Sequence, residues 1–274
     1  MEVKKRSNAP LRQRLVTCLL GILVLSFATA SFSMLSLKKR IDNGSEATVT
    51  GKHCIAYIID DIGYDIEPVH RLVHMGIPVT LSILPRCPYS RRAADEATCS
   101  GLEIMLHLPM EPHEYPEKNP GDGALFTHMT KGAIIDLMEE HIAAVPGIRG
   151  VNNHMGSHFM EGEEKLTVVF GELKKRGLFF IDSCTTSHSM GRRVAKKTGI
   201  GYASRDVFID NNGRYRDTVD ILTNIIQTRD RWHTLILIGH PYESTLEAME
   251  QTIHRMKSAG ITIVPVSSLV QRVF

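Results

Sequence analysis

From about Lys52 the chain alternates short apolar runs with stretches of helical periodicity, and nothing else in it constrains the fold as tightly. The runs CIAYIID (54–60), PVTLSIL (78–84), LEIMLHL (102–108), RGVNN (149–153), LFFID (178–182), VFID (207–210), TLILIGH (234–240) and ITIVPV (261–266) read as strands. Helical patterns at 65–75, 88–99, 130–145, 161–176, 189–198, 216–230 and 243–259 separate most of them. Near-continuous apolar strands joined by helices indicate an α/β fold, a parallel sheet with crossover helices that is either closed into a barrel or left open. No internal repeat is present. The loop MEPHEYPEKNPGDGALF (110–126) is long and rich in Pro and Gly, which makes it a candidate rim or lid.

A chain of 274 residues that is 43% hydrophobic can bury a full core in one sizeable domain or two small ones. Its 32 basic and 30 acidic residues leave a net charge of +2, and the basic excess sits largely in the first forty residues, in MEVKKR, Arg12, Arg14 and KKR at 38–40. Without a basic stripe in the folded part, no nucleic-acid partner is expected.

Residues 1–38 read as a targeting segment. Leu15 to Leu37 carries no charge, is flanked by Arg14 and Lys38, and is long enough to span a bilayer with its N-terminus inside. A signal anchor is the first reading and a signal cleaved near ATA (28–30) the second; both place residues 52–274 outside the cytoplasm, with 39–51 as a polar tether. LVTC (15–18) resembles a lipoprotein box only superficially. Cys54, Cys87, Cys99 and Cys184 follow no metal-binding spacing. A Cys87–Cys99 disulfide and buried free thiols are equally open.

The strand ends carry the chemistry. Asp60 and Asp61 end the first strand, His107 the third, Asn153 and His154 the fourth, Asp182 the fifth; Asp210 follows the sixth and His240 ends TLILIGH. In parallel α/β sheets the C-terminal strand ends share the face where ligands bind, so these groups are expected to converge. Two adjacent carboxylates repel and need cations, donors or solvent. A carboxylate with two imidazoles suits a divalent metal, Zn²⁺ above all, which acidifies water toward a pKa of ~7 and polarises a carbonyl. Of two neighbouring Asp residues, one can then ligate while the other acts as general base.

The motifs IAYIIDDIGYD, LEIMLHLPMEP, VNNHMGSHF, FFIDSCT, VFIDN and LILIGHPYEST, in this order, resemble the divergent branch of the polysaccharide deacetylase superfamily over about 52–272. The resemblance implies a single-domain, deformed (β/α) barrel that removes acetyl groups from an acetylated envelope polysaccharide, using a metal held by Asp-His-His. It implies Asp60 as catalytic base, Asp61 as metal carboxylate and His240 as catalytic acid. Conventional members carry two histidines four residues apart after the third strand; here His107 is followed four residues later by Glu111, and NNHMG replaces an Arg-Pro-rich motif. His107 and His154 are therefore the expected metal histidines, with Glu111 a further ligand or an outer group. Asn153, Asp182 and Asp210 are expected around substrate or ligands. A second assignment pairs His154 with His158, although Gly156 argues for a turn between them.

Other residues carry plainer readings. Ser183 lacks a nucleophile elbow, GIG (199–201) is too short for a nucleotide loop, the methionines suit packing, and Trp232 suits a packing anchor. Two function classes follow: an envelope deacetylase, or a non-catalytic glycan-binding protein that keeps the barrel. A hydrolase of another small acyl group is the runner-up among enzymes.

Overall fold

The computed structural model describes residues 52–272; residues 1–38, read as a targeting segment, and 39–51, read as a tether, lie outside them. Ten strands occur among the described residues: β1 (His53–Ile62), β2 (Thr80–Ile83), β3 (Glu103–Met110), β4 (Gly150–Met155), β5 (Phe179–Asp182), β6 (Gly201–Ser204), β7 (Val207–Phe208), β8 (Thr234–Gly239), β9 (Ile261–Ile263) and β10 (Gln271–Arg272). The helices are α1 (Glu67–His74), α2 (Ser90–Cys99), α3 (Lys131–Ala144), α4 (Glu163–Lys175), α5 (Gly191–Thr198), α6 (Tyr215–Gln227) and α7 (Glu243–Ser258).

The strands form one sheet in the order β10-β6-β5-β4-β3-β2-β1-β8-β7, with β9 beside the start of β1. Every pairing is parallel except β10 on β6. The sheet curls into a deformed (β/α) barrel whose ends two consecutive residues draw together. Arg205 N–H donates to Asp182 O on the β5 side and Asp206 N–H to Ile236 O on the β8 side, each at 2.9 Å.

Strand alternation sorts the core into two layers. Tyr57, Leu81, Leu106, Val151, Phe180 and Leu237 face outward and join residues such as Leu72, Ala94, Phe170 and Met249 beneath the helices. Their neighbours Ala56, Ile58, Met105, Phe179, Ile181, Ile236 and Ile238 fill the interior. A 3₁₀ turn at Val266–Leu269 plugs the lower end, where Val266 N–H donates to Thr80 Oγ1 and Ser267 N–H to Glu103 Oε1, both at 3.1 Å. One step beyond the apolar interior, the same inward columns end in Asp60, His107, His154 and His240. The site is thus the polar top layer of the barrel.

The strand β6 escapes a reading based on apolar runs because GYAS has a single large apolar residue, Tyr202. Cys87, Cys99 and Cys184 are free thiols, which corrects the Cys87–Cys99 alternative. Helix α2 stands between the two; its ten residues rise about 15 Å, far beyond the ~7 Å Cα separation a disulfide tolerates. The loop after β3 is fastened at both ends. Leu125 N–H donates to Pro109 O at 2.8 Å, Glu111 N–H to Leu125 O at 2.9 Å, and Gly123 O meets His141 Nε2 at 2.7 Å. It forms a fixed rim.

Candidate active site

In a regular strand Asp60 and Asp61 would point to opposite faces. The β1–β2 register shows how both reach one site: Ile59 pairs with Leu81 but Ile62 with Ile83, so three steps along β1 match two along β2. At this bulge Asp61 adopts φ 56°, a left-handed conformation that Asp tolerates better than most residues but that still costs about 1–3 kcal/mol. Asp60 Oδ1 lies 3.7 Å from His107 Nδ1 and Asp61 Oδ1 3.1 Å from His107 Nε2. Both carboxylates therefore address the same imidazole from different sides.

From β4, His154 Nδ1 approaches Asp61 Oδ1 at 3.0 Å and His107 Nε2 at 3.1 Å. Asp61, His107 and His154 make up the group whose ligand atoms converge closely enough to hold a metal ion among the described residues. The triangle is close to the ~3.3 Å spacing that a tetrahedral cation with ~2.0–2.2 Å bonds requires. Asp61 Oδ1 is buried without a donor aligned on it, an expensive state for a carboxylate that a cation relieves. The donor set fits a divalent metal.

The electrostatics divide the two carboxylates. Burial would raise Asp61, but contacts with His107 and His154 and their charge bring it well below the carboxylate range. Asp60 is 3% exposed and moves the other way, since burial outweighs the favourable influence of His107 and Asn152. His107, opposed by burial but drawn by Asp60 and Asp61, is pushed up to about 9.

Asn152 connects these groups, and the polar strand ends alone did not single it out. Its Oδ1 accepts from His107 Nδ1–H at 2.8 Å and from Ser82 Oγ–H at 2.5 Å, while its Nδ2–H donates to Asp60 Oδ1 at 2.8 Å. This fixes the His107 tautomer and leaves Nε2 facing the triangle. The signal in the sequence was parity: residue 152, two before His154, shares its inward face, whereas Asn153 does not. Asn153 instead binds the β5 end, accepting from Ser183 N–H at 2.9 Å and donating to Met155 O at 2.8 Å.

On the opposite side, His240 Nε2 stands 3.7 Å from Asp61 Oδ2, and Nδ1 meets Asp210 Oδ1 at 3.2 Å. Asp210 Oδ2 also accepts from His240 N–H at 2.6 Å and Thr245 Oγ–H at 2.7 Å, so the carboxylate is anchored and positions the imidazole. Burial lowers His240, but Asp210, with Asp61 and Asp60, more than offsets it and the net shift is upward.

Asp182, Glu111 and His158 stand apart from this cluster. Asp182 sits on the outward parity of β5 and accepts from Cys184 N–H at 2.8 Å, Ser189 Oγ–H at 2.6 Å and Tyr202 OH at 3.0 Å, holding the β5–α5 loop. Glu111 accepts from Thr127 N–H at 2.6 Å and faces His158 Nδ1 at 3.6 Å. His158 stacks on His113, with centroids 4.9 Å apart. Glu111 and His158 thus belong to the rim, and neither joins the metal-holding group.

Residues 57–270 match the family model described as divergent polysaccharide deacetylase. The chain belongs to that family. The match takes in every residue of the cluster from Asp60 to His240. The chain is 31% identical over 227 residues to YibQ of Escherichia coli (strain K12), covering 82% of this chain and 69% of that one. It shares its fold with protein ATU2773 from Agrobacterium tumefaciens C58 (TM-score 0.76, 24% identity, 81% of this chain and 91% of that one). More distantly, it is similar in fold to a family 4 acetyl xylan esterase from Clostridium thermocellum solved with a cobalt ion. There the TM-score is 0.50 at 14% identity, over 79% of this chain and 89% of that one.

Proposed function

We propose that the protein is a metal-dependent hydrolase that removes acetyl groups from an envelope polysaccharide. The observation that carries this reading is the triangle of Asp61 Oδ1, His107 Nε2 and His154 Nδ1, flanked by Asp60 on one side and His240 on the other. Asp61, His107 and His154 would hold a divalent cation, for which zinc is the first candidate. Such an ion supplies Lewis acidity toward a carbonyl oxygen and acidifies water. The cobalt ion in the structurally similar acetyl xylan esterase supports a divalent ion in this fold.

The remaining steps belong to the chain's own residues. Asp60 takes the proton of the attacking water, and its upward shift brings it nearer the operating range of a general base. Asn152 Nδ2–H holds that carboxylate in place at 2.8 Å. His240, whose affinity for its proton Asp210 raises, donates that proton to the departing amine or alkoxide. The N-terminal apolar segment would place this chemistry outside the cytoplasm, anchored at the membrane. Cell fractionation with protease access to the intact envelope tests that placement; a soluble cytoplasmic product with an intact N-terminus contradicts it.

Metal analysis of purified residues 39–274, followed by acetate release from a panel of acetylated glycans, tests the activity. Metal at one equivalent and acetate release support it. Stoichiometric metal and glycan binding with no release favours the non-catalytic glycan-binding reading.

A further inference from the structure

Between the loop after β1 and the loop after β8, a cavity of about 280 Å³ opens from the candidate site, lined by Asp61, Gly63, Tyr64, Asp65, His240 and Tyr242 among others. Among the described residues the exposed large hydrophobic side chains are Tyr64, Tyr89, Tyr115 and Tyr242, and two of these four line this one cavity. Tyr64 is 67% exposed and Tyr242 49%. Aromatic rings left in water beside a reaction site mark a surface that something covers.

The local backbone builds this display. Gly63 has φ +132°, and a Cβ there would come within 3.0 Å of Cys87 Cβ and 3.1 Å of Ser90 Oγ, so only glycine makes the turn that presents Tyr64. On the facing loop the Tyr242 ring lies against His240, with centroids 5.2 Å apart and planes at 31°. The residues lining the cavity include no Lys or Arg, while Asp65 contributes a carboxylate. Phenol rings beside a carboxylate acceptor suit a polyhydroxylated ring, whose C–H face stacks and whose hydroxyls donate. The volume is below the ~300–1,000 Å³ of pockets for drug-sized ligands, which fits one sugar ring.

We propose that Tyr64 and Tyr242 clamp the sugar ring adjoining the acetylated residue, with Asp65 accepting from its hydroxyls, so that the protein selects a glycan chain over an isolated acetylated sugar. This rests on the deacetylase reading above.

The test compares kcat/KM for an acetylated chito-oligosaccharide with kcat/KM for acetylated glucosamine in the zinc-loaded wild type and the Tyr64→Ala, Tyr64→Phe and Tyr242→Ala variants. The chain-to-monomer ratio should fall about tenfold in Tyr64→Ala and Tyr242→Ala and be restored in Tyr64→Phe, because the ring and not the hydroxyl does the stacking. An unchanged ratio in both alanine variants overturns the clamp and leaves the deacetylase reading intact. If the wild type deacetylates neither substrate nor any glycan of the panel above, the deacetylase reading fails and calorimetric titration with the oligosaccharide decides the clamp. Binding weakened about tenfold by Tyr64→Ala supports it; equal binding, or none to the wild type, overturns it.

Discussion

His107 Nδ1 donates its proton to the side-chain oxygen of Asn152 at 2.8 Å, deep in the barrel where neither residue meets solvent. The bond decides which imidazole nitrogen faces Asp61 and His154. Because the same amide donates to Asp60 at 2.8 Å, one side chain sets both a metal-facing atom and the carboxylate assigned as base.

Replacing Asn152 with Ala should therefore weaken zinc affinity by about 10–100-fold, the usual effect of losing an outer partner of a ligating histidine. Asp60 should also move further upward, since a hydrogen bond to its charged form is lost. Competition with a chromophoric chelator measures the first and the acid limb of a pH–rate profile the second. Unchanged zinc affinity would show that His107 needs no such positioning.

Much of this arrangement is legible in the sequence. The apolar runs ending in Asp60, His107 and His240 place those residues at the top of parallel strands, and the barrel follows from strands and helices alternating. The bulge is not legible, because the left-handed turn at Asp61 is set by pairing with β2, a neighbour whose register no local pattern specifies. Parity separates the strand ends that converge from those that do not. His107 and His154 lie on inward columns, while Asp182 and Asn153, equally polar strand ends, lie on the outward one and fasten loops. Counting in twos from His154 would have found Asn152.

Metal content should follow the triangle and not the rim. His107→Ala and His154→Ala should each abolish stoichiometric zinc by elemental analysis, whereas His158→Ala, whose imidazole faces Glu111, should retain it. Full occupancy in His107→Ala with loss in His158→Ala would reverse the assignment.

The metal-free protein should lose stability as pH rises from about 6.5 to about 9. His107 is raised from 6.5 to about 9 by Asp60 and Asp61 against the effect of burial, so its contribution is whole below the unfolded value and lost through the folded one. Zinc must displace that proton, so the rise in Tm on adding zinc should grow across the same window. Thermal melts with EDTA and with zinc from pH 6 to 9 measure both. A flat metal-free Tm with a pH-independent zinc effect contradicts the coupling.

Gly239→Ala tests the positioning of His240 without touching it. A Cβ there would lie 2.8 Å from Ile209 Cγ1 and 3.2 Å from Asp210 Oδ2, pressing on the carboxylate that anchors the imidazole. Overpacking of this kind costs about 1–3 kcal/mol. The expected result is retained zinc, reduced turnover and an alkaline limb of the pH–rate profile moved to lower pH. An unmoved alkaline limb would mean that Asp210 does not set the His240 proton.

The division of labour between adjacent carboxylates is the centre of this account, and zinc content measured beside acetate release in Asp60→Asn and Asp61→Asn tests it most directly. Asp60→Asn should keep one equivalent of zinc while turnover on an acetylated glycan falls by ~10²–10⁴, the typical cost of removing a general base. Asp61→Asn should lose both zinc and turnover. Loss of zinc in Asp60→Asn, or its full retention in Asp61→Asn, would contradict the assignment.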